Sequence, residues 1–156
     1  MKRLSFFLVV FTLAFAGCNK SNVENQEWWS MTEFTTQDYS EDTVYTFDGG
    51  LAVVETYYDK HLKNNFLCFT RWHGRDAMND WFVNDNGVLY ECPQPTKYME
   101  GSDGKMIKNL FYKKEYFVNN EKKSDYIWSK KNEDQATLTY NRADGKTTYI
   151  FKRDHK

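Results

Sequence analysis

Ala136-Thr137-Leu138-Thr139-Tyr140-Asn141, followed by Arg142-Ala143-Asp144-Gly145 and then Lys146-Thr147-Thr148-Tyr149-Ile150-Phe151-Lys152, is the stretch on which the fold turns. Apolar and polar side chains alternate along both arms, the period of a strand with one buried and one wet face. A run containing Asp and Gly separates the arms, so they read as an antiparallel hairpin. With a four-residue loop, Asn141 falls opposite Lys146. Tyr140 then pairs with Thr147, Leu138 with Tyr149 and Ala136 with Phe151, all on the face that seeks a core. Thr137, Thr139, Thr148 and Lys152 take the solvent face.

The same pattern recurs upstream. Asp80–Asn84 and Gly87–Cys92 flank Asp85-Asn86, which puts Trp81, Val83, Val88 and Tyr90 on one face and Phe82 and Leu89 on the other. Thr43–Asp48 and Leu51–Tyr58 flank Gly49-Gly50, residues that accept the positive φ of a tight hairpin. Further runs at Trp28–Thr35, Asn65–Trp72, Ile107–Val118 and Asp125–Lys130 bring the total to about nine or ten strands, and only Thr56–Leu62 carries a trace of helical spacing. The class is all-β. Short connections favour a meander of sequence neighbours, and closure into an up-and-down barrel removes the edges that an open sheet would expose. The longest connection, Pro93–Met106, holds both prolines and Gly101 and Gly104, and reads as a mobile loop at one rim.

Composition narrows the function. The chain has 156 residues, one domain's worth, with 21 Lys and Arg against 22 Asp and Glu. Each short basic run has an acid close by, so the chain lacks the uncompensated positive charge that grips phosphates, and no nucleic-acid partner is expected. Aromatic residues make up 18% of the chain, against two Pro and eight Gly, which points to a folded aromatic core.

The N-terminus reads as an address. Met1-Lys2-Arg3 is a short positive region, Leu4–Ala16 is apolar except for Ser5 and Thr12, and Ala16-Gly17-Cys18 follows. This is the order of a secretory signal peptide. The apolar run of 13 residues is too short to span a bilayer, which takes about 20. A small pair directly before Cys resembles the bacterial lipobox, in which the cysteine is acylated and becomes the new N-terminus. Phe15 departs from the aliphatic residue usual there. The organisation expected is a signal peptide at 1–17, a lipid-anchored flexible tether at 18–26 with Cys18 acylated by palmitate-type chains, and one barrel domain at 27–156. The mature chain would hold 19 basic and 22 acidic side chains, a formal charge of −3. Asn19 after the cysteine resembles lipoproteins sorted to the outer membrane, facing either the periplasm or the cell surface.

Candidates for chemistry are few. His61, His73 and His155 lie at no metal-ligand spacing from one another or from a cysteine, and no metal or other cofactor is expected. His73-Gly74-Arg75-Asp76 reads as a polar turn. Neither a Gly-x-Ser-x-Gly elbow nor a phosphate-cradling glycine motif occurs, so an enzyme is not expected. Cys68 and Cys92 would share an oxidising compartment. A β-turn over His73–Asn79, however, places Trp72 near Trp81 and the two cysteines at opposite ends of the meander, beyond the reach of a disulfide. Trp72, Trp81, Tyr90, Trp128 and Tyr140 are the inward candidates. They would either pack the core or line a pocket for a small apolar or amphipathic ligand.

Two resemblances follow. A lipobox, a tether, Trp28-Trp29 at the start of the first strand and Arg153 at the end of the last are similar to the bacterial lipocalin-like (calycin) lipoproteins. That resemblance implies a barrel whose base is closed by Trp packed on Arg, and a ligand-binding role. The glycine expected two positions before the Trp is replaced by Gln26 or Glu27. Tyr90-Glu91-Cys92 and Ser124–Lys130 also resemble stretches of the membrane-bound lysozyme inhibitors, which implies instead a protein partner engaged through surface loops such as Pro93–Met106. The glycine of the second motif and a C-terminal partner for the cysteine are missing.

Overall fold

The computed structural model describes residues 22–41, 43–48, 51–118 and 122–155. They form β1 (Val23–Asp38), β2 (Thr43–Asp48), β3 (Ala52–Asp59), β4 (Asn64–His73), β5 (Asp76–Asp85), β6 (Val88–Glu91), β7 (Tyr98–Glu100), β8 (Met106–Lys108), α1 (Glu115–Val118), β9 (Lys123–Lys130), β10 (Gln135–Asn141) and β11 (Gly145–Arg153). Residues 1–17, expected as a signal peptide, and Cys18 lie outside the described residues. β1 opens at Val23, so residues 23–26, expected as tether, are strand.

The chain is an antiparallel meander closed into an eight-stranded barrel, β1-β3-β4-β5-β6-β9-β10-β11 and back to β1. Closure rests on β1, the longest strand. One edge pairs with β11 from Trp29↔Arg153 to Asp38↔Gly145. The other edge pairs first with β3, over Val23–Ser30, and then with β2, over Glu33–Asp38. A bulge between Met31 and Glu33 adds one residue and keeps Trp29, Met31 and Phe34 on the inner side. The end where β1 starts is called the lower end here and the end where it finishes the upper.

The last hairpin has the expected register, with Asn141↔Lys146, Leu138↔Tyr149 and Ala136↔Phe151. Ala136, Leu138 and Phe151 are fully buried in the barrel interior.

Other turns differ. β2 and β3 do not form a hairpin: both run antiparallel to β1, one after the other along the same edge. Gly49-Gly50 lies outside the described residues. Alternation on both sides of a glycine pair does not say whether the flanking strands pair with each other or with a third strand, which is why the sequence alone misled. The β5–β6 turn is Asn86-Gly87, both with positive φ, 50° and 93°, so Asp85 pairs with Val88. The β4–β5 turn is the tight Gly74-Arg75, with Gly74 at φ 63° and His73 opposite Asp76. Both corrections shift the pairing by an even number of residues, which preserves which residues share a face.

Ile107–Val118 is not a strand. Only β8 is extended, and it pairs with β7 inside the segment expected as a loop. The buried Asn109 then turns the chain: its Nδ2 donates to the Gln94 carbonyl at 2.6 Å and its Oδ1 accepts from the Phe111 amide at 2.9 Å. The short α1 follows, and Phe117 tucks against Phe66 on the outer wall of the barrel. Residues 93–118 thus form an excursion that folds back over the outside of β3, β4 and β5.

Candidate functional site

The middle of the barrel interior is packed. Trp29, Val54, Leu67, Phe69, Leu89, Leu138 and Phe151 are wholly buried there, with Phe82 and Trp128 almost so. Trp29 meets Trp128 edge to face at 5.5 Å, and Trp128 leans on Phe151 at 5.9 Å.

The five aromatic candidates do not share one wall. Trp128 is in the interior, and Tyr140 is held there against Tyr126, ring on ring at 4.6 Å. Trp81 and Tyr90 face outward and pack in the second cluster, with Val83, Phe66, Tyr57, Leu62 and Phe117, beneath the excursion. Trp72 pairs with Ala77 on the outward side of β4 and is 39% exposed. The face partition of the β5–β6 hairpin is as expected; its orientation is reversed. Phe82 and Leu89 took the interior, and Trp81 and Tyr90 are apolar on the outside because the excursion covers them. A hairpin apolar on both faces does not reveal which face is inside.

Clefts open at several places, three of them beside the residues discussed above. At the lower end, a cleft of about 460 Å³ is bounded by Asn25, Glu27, Thr56, Asn65, Asn84 and Trp128. Glu27 lies under it in a charge cluster: Lys130 Nζ approaches its carboxylate at 2.5 Å and Arg153 at 3.4 Å, and Thr56 donates to it at 3.4 Å. The Trp-on-Arg packing implied for the base is not the contact that Trp29 makes. Trp29 and Arg153 are register partners, but the cation over the Trp29 ring is Lys130, 5.4 Å from its centroid. Trp29 Nε1 is buried there with no hydrogen-bond partner among the described residues.

Higher up, a cleft of about 300 Å³ runs between Arg71, Asp80, Trp81, Phe82 and Tyr126. Arg71 pairs with Asp80 at 2.6 Å and lies over the Phe69 ring at 5.1 Å. Burial pushes the Tyr126 hydroxyl up to about 12, against the opposing pull of Arg71, and raises Tyr149 in the same way. This pair was legible in principle, since Arg71 and Asp80 fall on inward positions once the tight turn at Gly74 sets the register. The third cleft, about 280 Å³, lies outside the wall between Val23, Tyr57, Trp81, Pro95 and Tyr112.

Cys68 and Cys92 are free thiols, but for a different reason from the one the sequence suggested. They are not at opposite ends. Cys68 pairs with Trp81, and the Cys92 amide donates to the Trp81 carbonyl at 3.0 Å, so both thiols flank Trp81 in one row. One strand lies between them, and two interstrand spacings of about 4.8 Å exceed what a disulfide spans. Burial pushes the Cys68 thiol up to about 11 and Cys92 to about 12. The histidines are apart: His73 at the tip of the β4–β5 hairpin, His61 stacked on Tyr112 at 5.3 Å, and His155 bonded to Asp134 at 2.6 Å. Among the described residues no group of three or more His, Cys, Asp or Glu could hold a metal ion.

The upper end carries exposed apolar residues of a different kind. β2 pairs with β1 on one side, and no strand among the described residues pairs with its other edge. Val44, Tyr45 and Phe47 along it are exposed, as are Leu51, Trp72 and Met78 beside it; Phe47 stacks on Phe34 at 4.8 Å. No family model, curated protein or solved structure matches the chain.

Proposed function

We propose that this chain is a lipid-anchored, non-enzymatic binding protein of the cell envelope, lipocalin-like in its barrel, that recognises an extended apolar segment of a protein partner along β2 at the upper end. The observation that carries the reading is the outer edge of β2, which pairs with no strand among the described residues. Backbone donors and acceptors there are open to a further strand, and the exposed Val44, Tyr45 and Phe47 offer alternate side chains for specificity. β2 contains neither Lys nor Pro, and its one charged residue, Asp48, stands at its end. The packed middle of the barrel supports a surface-acting protein over a hollow carrier. The anchor rests on Ala16-Gly17-Cys18, and outer-membrane sorting on Asn19.

A second reading, a small apolar or amphipathic ligand, draws on the clefts of about 460 and 300 Å³, which reach the lower end of the ligand-site range. The two readings act in different places. A photoreactive residue in place of Val44 should crosslink to a discrete protein in living cells, and Phe47→Asp should abolish the adduct. A residue placed at Ser129, beside the lower cleft, should give none. No adduct at 44, together with a fluorescence response of Trp128 to a hydrophobic probe, would transfer the function to the cleft.

A further inference from the structure

The excursion over residues 93–118 divides its aromatic side chains between two directions. Phe117 and Tyr112 point at the barrel: Phe117 is buried against Phe66, and the Tyr112 hydroxyl accepts from Asn22 Nδ2 at 3.2 Å. Leu110 (75% exposed), Met106 (65%), Phe111 and Ile107 point away from it, and Tyr116 packs on Phe111 ring to ring at 5.4 Å. Lys108, Lys113 and Lys114 stand exposed among them, with no ion pair among the described residues. Residues 93–123 hold seven lysines and four acids, a local charge of +3 in a mature chain expected at −3. Apolar side chains set among lysines are the composition of a surface that lies in a bilayer interface.

The position of the chain terminus says which surface covers this patch. Asn22, bonded to Tyr112, is followed by Val23 in the same outer cluster, and the Lys60 amide holds the Asn22 carbonyl at 2.8 Å. Cys18 lies four residues earlier. Four residues reach at most about 14 Å when fully extended. A bilayer holding acyl chains on Cys18 is therefore within one short span of Tyr112 and of the Leu110-Phe111 tip beside it.

We infer that the Met106–Tyr116 patch is a membrane-docking surface for anionic phospholipid, which sets the barrel with its lower, tethered side on the bilayer and β2 facing away. The inference rests on the lipoprotein reading for its geometry. Anionic headgroups would meet Lys108, Lys113 and Lys114, while Leu110, Phe111, Met106 and Ile107 enter the interface.

The test uses the full chain, acylated in a bacterial host and reconstituted into phosphatidylglycerol/phosphatidylcholine vesicles with brominated acyl chains as quencher. Phe111→Trp serves as reporter, Leu110→Trp as an alternative should the first perturb folding, and Ala143→Trp in the β10–β11 turn as the distant reference. Palmitate-analogue labelling of wild type and Cys18→Ala reads acylation separately. The expected result is several-fold stronger quenching at 111 than at 143, lost on the triple change of Lys108, Lys113 and Lys114 to Glu and in high salt. Equal quenching at 111 and 143 in labelled protein overturns the docking and leaves the patch to an acidic protein. If Cys18 proves unlabelled, the anchor reading fails by itself, and the same reporters on anionic vesicles at low salt decide docking: quenching at 111 sustains it and its absence overturns it.

Discussion

The two apolar clusters of this protein are built from similar residues and closed in different ways. The inner cluster, around Trp29, Phe69, Trp128 and Phe151, is ringed by eight strands whose ladders meet end to end. The outer cluster, around Tyr57, Phe66, Val83 and Phe117, has a strand wall on one side only and is roofed by a segment with a four-residue helix and two three-residue strands. Aromatic content is therefore no guide to which cluster holds the fold together. The inner one persists as long as the ladders do; the outer one depends on Phe117, Tyr112 and Asn109 to hold its roof.

That difference can be broken by mutation. Phe151→Ala, which empties the centre of the barrel, should cost about 3–5 kcal/mol in urea unfolding. A cost under about 1 kcal/mol would mean that the interior is not the main core. Phe117→Ala should cost less than the ~3–5 kcal/mol typical of a core Phe, and should act locally. Amide exchange should accelerate across 93–118 while β10 and β11 keep their protection; equal loss in both would make the two clusters one cooperative unit.

The smallest effect is chemical. Because burial raises Cys68 to about 11 and Cys92 to about 12, their thiolate fraction at pH 8 should be lower by roughly 10²–10³ than that of a free cysteine. A disulfide reagent should label them slowly in the native protein and faster in Phe117→Ala, where the roof loosens; native labelling at the rate of the unfolded chain would contradict their burial. The sign for stability follows. These thiols are neutral in both states below about pH 8.5, so their contribution is fully present there and is lost as pH rises toward the folded values. Tyr126, raised to about 12, acts in the same direction above about pH 10. Stability should hold to about pH 8.5 and decline beyond it, as read by melting temperature against pH.

What the amino-acid order determined by itself was parity. Period-two alternation decided that Leu138, Tyr149 and Phe151 share a face with Ala136, and that Trp81 and Val83 share one opposite Phe82, and neither assignment moved when the turns did. Register shifts of two or four residues preserve that information because the side-chain period is two. Sequence also carried the class, since alternating runs joined by short connections have few other ways to bury an aromatic face. Tertiary structure decided the rest. Which face of the β5–β6 hairpin is inside depended on a distant segment, 93–118, that covers the other one. Whether β2 and β3 pair with each other or with a third strand depended on β1 being long enough to accept both in series. The candidate surfaces divide in the same way: Arg71 with Asp80 lies within the β4–β5 hairpin and follows from its turn, whereas Glu27 with Lys130 and Arg153, and Asn22 with Tyr112, join positions far apart in the chain that only tertiary pairing brings together and no local spacing encodes.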